Sequence, residues 1–141
     1  MKNLLQSNIV IAFDIGLINI GVAIGNTILK IPHPLEIISE PVKFKVFIEI
    51  DKIVKKWSPQ LFVLGVTDNQ ENKKNLMIKI NKFKNKLHNN YNLPIIFINE
   101  DYSSLVATEM LSQQGVHGYK QKNKLDDLAA CVILQRYFDT L

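Results

Sequence analysis

The sequence predicts an α/β domain with a mixed five-stranded sheet flanked by helices, its elements running in the order βββαβαβαα. Three observations carry this expectation. Short apolar and β-branched runs crowd the first 31 residues, amphipathic and apolar stretches alternate after residue 43, and LFVLGV at 61–66 is continuously apolar, as a strand covered on both faces is. Alternation of strand and helix in the second half implies right-handed parallel crossovers.

NIVIAFD at 8–14 ends at Ile15-Gly16 and reads as a buried strand with Asp14 at its carboxyl end. Ile20–Ile24 gives a second strand and Thr27–Ile31 a third, with Gly25-Asn26 as the tight turn between them. Pro32 and Pro34 interrupt the pattern. Lys43–Trp57 then carries apolar residues near a helical period and is stopped by Ser58-Pro59. Leu61–Val66 is the fourth strand. From about Gln70 to Asn89 a second helix places Leu76, Ile80, Phe83 and Leu87 on one face, and its surrounding lysines read as a solvated face. Ile95–Ile98 is the fifth strand and leads into Asn99-Glu100-Asp101. Helices at Ser104–Gln113 and Asp126–Phe138 complete the chain, joined by the mobile loop GVHGYKQKNK.

The 141 residues fit one domain, 1–141, with a hydrophobic fraction of 47% that supplies a real core. The formal charge of +4 suits a polyanionic partner. Of 17 cationic side chains only Arg136 is an arginine, so lysines must supply phosphate contacts as point charges. Cys131 is the one cysteine, which excludes an internal disulfide and a multi-cysteine zinc site and makes the cytoplasm the expected location. His33, His88 and His117 share no metal-ligand spacing. No apolar run approaches the roughly 18–20 residues that span a bilayer, so no membrane partner is expected.

Asp14 and Glu100 each follow an apolar strand, and in open α/β sheets ligands bind outside the carboxyl ends of strands. Asp126 opens the last predicted helix, in which Ala129, Ala130, Ile133, Leu134 and Tyr137 repeat at helical spacing, and the two small alanines allow a close approach to the sheet. Taken singly, Asp14 reads equally as a turn former and Asp126 as a helix-start residue. Together, converging carboxylates repel one another unless a hard divalent cation such as Mg²⁺, or Mn²⁺ in its place, relieves the charge. Two such ions roughly 3.5–4 Å apart can activate water and stabilise a leaving oxygen in phosphodiester hydrolysis.

In order and spacing, IAFDIGLINIGVAIGN, LFVLGV, PIIFINEDYSSLVATEML and KLDDLAACVILQRYF resemble the signature blocks of the YqgF/RuvX family. Resolution of Holliday junctions and maturation of the 5′ end of 16S ribosomal RNA are both associated with that family. The resemblance implies a ribonuclease H-like fold with Asp14, Glu100 and Asp126 as catalytic and metal-binding residues. Where the family pattern has arginines, this chain has Asn19 and Asp101, and where Gly-Leu-Pro is usual it has Gly65-Val66-Thr67. Loss of the two arginines should weaken substrate positioning more than metal binding.

Lys120, Lys122 and Lys124 in the predicted loop are the expected contacts to a nucleic-acid backbone. Ser103 and Ser104 stand where they cap the following helix, and their hydroxyls are also candidates for a phosphate contact. The expected activity is metal-dependent nuclease action on precursor ribosomal RNA by a monomer or homodimer. Cleavage of branched DNA, and a degenerate binding module without turnover, are the alternatives. Asp14-Ile-Gly also resembles a phosphate loop of actin-like sugar kinases, which need two such lobes where this chain shows one block.

Overall fold

A computed structural model describes residues 8–16, 19–39, 43–66, 73–99 and 119–141. Its strands form one five-stranded sheet in the order β3-β2-β1-β4-β5. These are β1 (Ile9–Ile15), β2 (Asn19–Asn26), β3 (His33–Ser39), β4 (Leu61–Val66) and β5 (Ile95–Asn99). The first three pair antiparallel and β1, β4 and β5 pair parallel. The described helices are α1 (Lys43–Trp57), α2 (Lys73–Tyr91) and α3 (Tyr119–Phe138).

Side chains alternate across the pleat, and each face finds a different cover. Ile11, Phe13, Ile15, Phe62 and Leu64 lie in one buried cluster with Ile50 and Ile53 of α1 and Leu76, Ile80, Phe83 and Leu87 of α2. Val10, Ala12, Ala23 and Val63 form a second cluster with Ala130, Ile133, Leu134, Tyr137 and Phe138 of α3. Burial on both faces explains why β1 and β4 read as continuous apolar runs.

The ends of α1 and α2 share one device. Ser58 and Asn92 adopt left-handed backbone (φ 47° and 53°), and their amides donate to Val54 O and His88 O, both at 2.8 Å. Each donation satisfies a last-turn carbonyl that the helix itself leaves open.

The hairpin after β2 differs from the sequence expectation. β2 continues through Gly25-Asn26, and the turn falls at 27–29, where Asn26 Oδ1 accepts from the Ile28 amide at 2.7 Å. Asn26 therefore ends the strand by its side chain. Gly25 serves packing, since a Cβ there would lie 2.7 Å from the Phe138 ring. The third strand is His33–Ser39, beyond the expected Thr27–Ile31, and it contains Pro34. It is an edge strand, where a residue without an amide hydrogen is tolerated, and its pairing with β2 shifts between Gly21 and Ala23.

The last helix also starts earlier than expected. α3 begins at Tyr119, so Lys120, Lys122 and Lys124 belong to helical backbone and not to a mobile loop. A polar, lysine-rich first turn lacks the apolar period that would reveal it as helix. The predicted helix at Ser104–Gln113 lies outside the described residues.

Candidate active site

Asp14 is the penultimate residue of β1, half buried, and shares the even-numbered face with Val10 and Ala12, the face that α3 covers. Its cross-strand partner in β2 is Gly21. On the other side Phe13 pairs with Leu64, which brings the next residue of β4, Gly65, beside Asp14. Glycines therefore occupy the directly opposed positions of both neighbouring strands.

α3 approaches this face closely because Ala130, 0% exposed, packs in one cluster with Ala12 and Ala23, each 0% exposed, and its neighbour Ala129 is buried at 2%. Asp126 sits on α3 at i−4 from Ala130, i−7 from Ile133 and i−11 from Tyr137, all of which are buried. Its backbone is helical, and its side chain lies outside the described residues. So do Glu100, Asp101, Ser103 and Ser104, and the side chains of Lys120, Lys122 and Lys124. Among the described residues no group of three metal-ligating side chains occurs. Asn19, at a family arginine position, opens β2 opposite Ser39.

Two cations that the sequence did not single out for the site hold the strand ends around it. Lys79 Nζ of α2 donates to the Gly16 carbonyl at 2.5 Å, two residues past Asp14. Arg136 Nη1 of α3 donates to the Asn99 carbonyl at 2.5 Å, at the end of β5 and directly before Glu100 in sequence. Gly16 is fixed further by its amide, which donates to Asn19 O at 2.9 Å, and an added Cβ there would lie 3.0 Å from that same oxygen. Arg136 was visible only as the lone arginine, and Lys79 only as one lysine on the flank of an amphipathic helix.

A mixed sheet of this strand order, with an acidic residue at the carboxyl end of its central first strand and a helix packed closely over that face, defines the ribonuclease H-like class. Solved structures share the fold: a Thermus thermophilus RuvC in complex with a Holliday junction substrate has a TM-score of 0.60 at 14% identity, covering 94% of both chains. The fowlpox virus Holliday junction resolvase has a TM-score of 0.55 at 21% identity, covering 94% of this chain and 99% of that one. Within the class, the chain belongs to the family described as "RuvX: Holliday junction resolvase", whose model matches residues 8–140. Among its relatives, a Methylobacillus flagellatus protein named "Putative pre-16S rRNA nuclease" is 38% identical, covering 94% of this chain and 91% of its own. One of the same name from Chromobacterium violaceum is 37% identical, covering 91% and 95%. Family membership makes the chain a nuclease, a hydrolase of phosphodiester bonds.

Proposed function

We propose that the chain is a divalent-metal-dependent nuclease that processes the 5′ end of precursor 16S ribosomal RNA, with Asp14, Glu100 and Asp126 as its metal-binding carboxylates. The observation that carries this reading is the position of Asp14, half buried at a strand end between two glycines and on the face covered by the helix that bears Asp126. In sequence, Glu100 is next in the even-numbered series Ile96, Ile98, whose members pack on that same α3 face. Acidic oxygen donors of this kind suit hard Mg²⁺ or Mn²⁺.

When bound, such a metal neutralises charge at the scissile phosphate and lowers the pKa of its water. The chain's own residues set the distances. Ala130 lets α3 close on the sheet, Lys79 holds the backbone that follows Asp14, and Arg136 holds the backbone that precedes Glu100. The choice of precursor rRNA follows the names of the relatives. The family description favours a second reading, cleavage of branched DNA.

The test is Mg²⁺-dependent cleavage of precursor 16S rRNA and of a four-way DNA junction by the wild-type protein and by Asp14→Asn. Loss of rRNA cleavage in Asp14→Asn, with unchanged thermal unfolding, is expected. Undiminished cleavage by Asp14→Asn would remove Asp14 from the site, and cleavage of the junction alone would select the second reading.

A further inference from the structure

Formal charge is divided unequally along the chain. α1 and α2 together contain eleven lysines and two acids, a formal +9; because the whole chain is +4, everything else is −5. α2 has six lysines and no acidic residue in 19 positions. The two acids of α1 are engaged within their own helix, Glu49 with Lys52 at 3.2 Å and Asp51 with Lys55 at 2.8 Å.

The two helices form one continuous surface. Phe47 of α1 packs on Phe83 of α2 with ring centroids 5.2 Å apart, Lys86 Nζ lies 4.6 Å from the Phe47 ring centroid, and the Tyr91 hydroxyl donates to Asp51 Oδ1 at 3.1 Å. Lys45, Lys74, Lys82 and Lys86 are exposed on it. A face that serves solubility alone interleaves both signs, because concentrating one sign adds self-repulsion. This face keeps one sign along α2, a helix of about 28 Å. A nucleic-acid duplex presents the matching polyanion, roughly one negative charge per 1.7 Å of its axis. The surface also reaches the candidate site, since Lys79 of α2 touches the carbonyl of Gly16, two residues past Asp14.

We infer that the α1/α2 face is a docking surface for a nucleic-acid phosphate backbone, across the sheet from the carboxylate face, and that it grips the substrate that flanks the cleaved bond. This rests on the nuclease reading above. It also moves the expected grip from Lys120, Lys122 and Lys124 to the helices of the opposite face.

The experiment measures fluorescence anisotropy of a labelled RNA duplex, and of a DNA duplex of the same sequence, over a KCl series in EDTA, so that cleavage does not contribute. Wild type is compared with K45Q/K74Q/K82Q and with K120Q/K122Q/K124Q, an equal change in net charge. For the α1/α2 variant the slope of log affinity against log salt should shrink by about three. Its affinity at low salt should fall at least tenfold, on both duplexes, and by clearly more than that of the second variant. Thermal unfolding confirms that each variant is folded, and single substitutions of the same lysines, each expected to shrink the slope by about one, replace any triple that is not. An unchanged slope, or equal losses in the two variants, overturns the assignment. So does wild-type binding to phosphatidylserine-containing vesicles but to neither duplex. Wild-type protein that binds through this face but cleaves neither rRNA nor a DNA junction would instead overturn the nuclease reading and leave the docking surface standing.

Discussion

Arg136, the sole arginine of the chain, donates from α3 to the backbone carbonyl of Asn99 at the end of β5. A guanidinium cannot be deprotonated, and its planar fork holds direction as well as distance, so the contact ties the helix carrying Asp126 to the strand that precedes Glu100. Arg136→Lys and Arg136→Ala should therefore affect metal binding more than folding. A hydrogen bond to a charged group contributes about 1.5–3 kcal/mol, and the exposed setting of this one places its effect on stability at or below the low end. Loss of a group that orients metal ligands typically lowers metal affinity about 10–100-fold. Calorimetric titration with Mn²⁺ should show weaker binding by Arg136→Ala, and the Mg²⁺ concentration for half-maximal cleavage should rise; equal values for variant and wild type would reduce Arg136 to a surface contact.

Gly25 offers a test of packing alone. A methyl group at that position would meet Phe138 ring carbons at 2.7 Å and the Ile31 carbonyl at 3.0 Å, in a region where Phe138 is 1% exposed. Gly25→Ala should destabilise by about 1–3 kcal/mol, the usual range for overpacking. The same substitution in a Phe138→Leu background should cost less, with a coupling of at least about 0.5 kcal/mol in a double-mutant cycle read by urea unfolding. Additive effects would show that the Ile31 carbonyl sets the cost.

These two contacts mark where sequence reasoning succeeds and where it stops. The bounds of α1 and β4 are legible residue for residue, because Ser58-Pro59 punctuates the first and an unbroken apolar run defines the second. The sequence conceals the position of β3 because Pro32 and Pro34 look like breakers, whereas at a sheet edge a proline is tolerated. The sequence conceals the start of α3 because Tyr119–Lys124 has no apolar period of its own. The place of Asp14 at the carboxyl end of an apolar strand is legible in the sequence. The roles of Lys79 and Arg136 are not, since each binds a backbone carbonyl distant in sequence, and such a partner leaves no signature in side-chain identities.

The Tyr91–Asp51 contact predicts an alkaline limit. Burial, and then the hydrogen bond to Asp51, push the Tyr91 phenol up to about 12 from its ordinary 10.0. A folded-state value above the unfolded one favours the protonated phenol, so the contribution to stability is complete below pH 10 and is lost as pH rises from there through about 12. The Asp51 carboxyl is lowered, first by its hydrogen bond from Lys55, so its part of the contact is present above the ordinary 3.8 and fades as pH falls below that. In unfolding measured across pH 9–12, Tyr91→Phe should be less stable than wild type at pH 9, and the gap should close towards pH 12. A constant gap would mean that the phenol does not titrate against the fold.

The adjacent acids of α3 give the sharpest test of the site. Asp126 lies four, seven and eleven residues before Ala130, Ile133 and Tyr137, a single helical stripe whose members are buried at 0%, 0% and 7% exposure. Asp127 is turned about 100° further round the helix, and its own series, Cys131, Leu134 and Phe138, is buried as well at 9%, 0% and 1%; what sets Asp126 apart is that the small Ala129 and Ala130 stand three and four residues after it. The alanine stripe sets the spacing between α3 and the sheet, so the acid in register with it should serve the metal. Asp126→Asn should reduce Mg²⁺-dependent cleavage by at least about a hundredfold, the size expected when a metal ligand or acid–base group is lost, with thermal stability little changed. Asp127→Asn should stay within a few-fold of wild type. The reverse pattern would place α3 one residue out of the proposed register, and two equally inactive variants would assign both carboxylates to the metal.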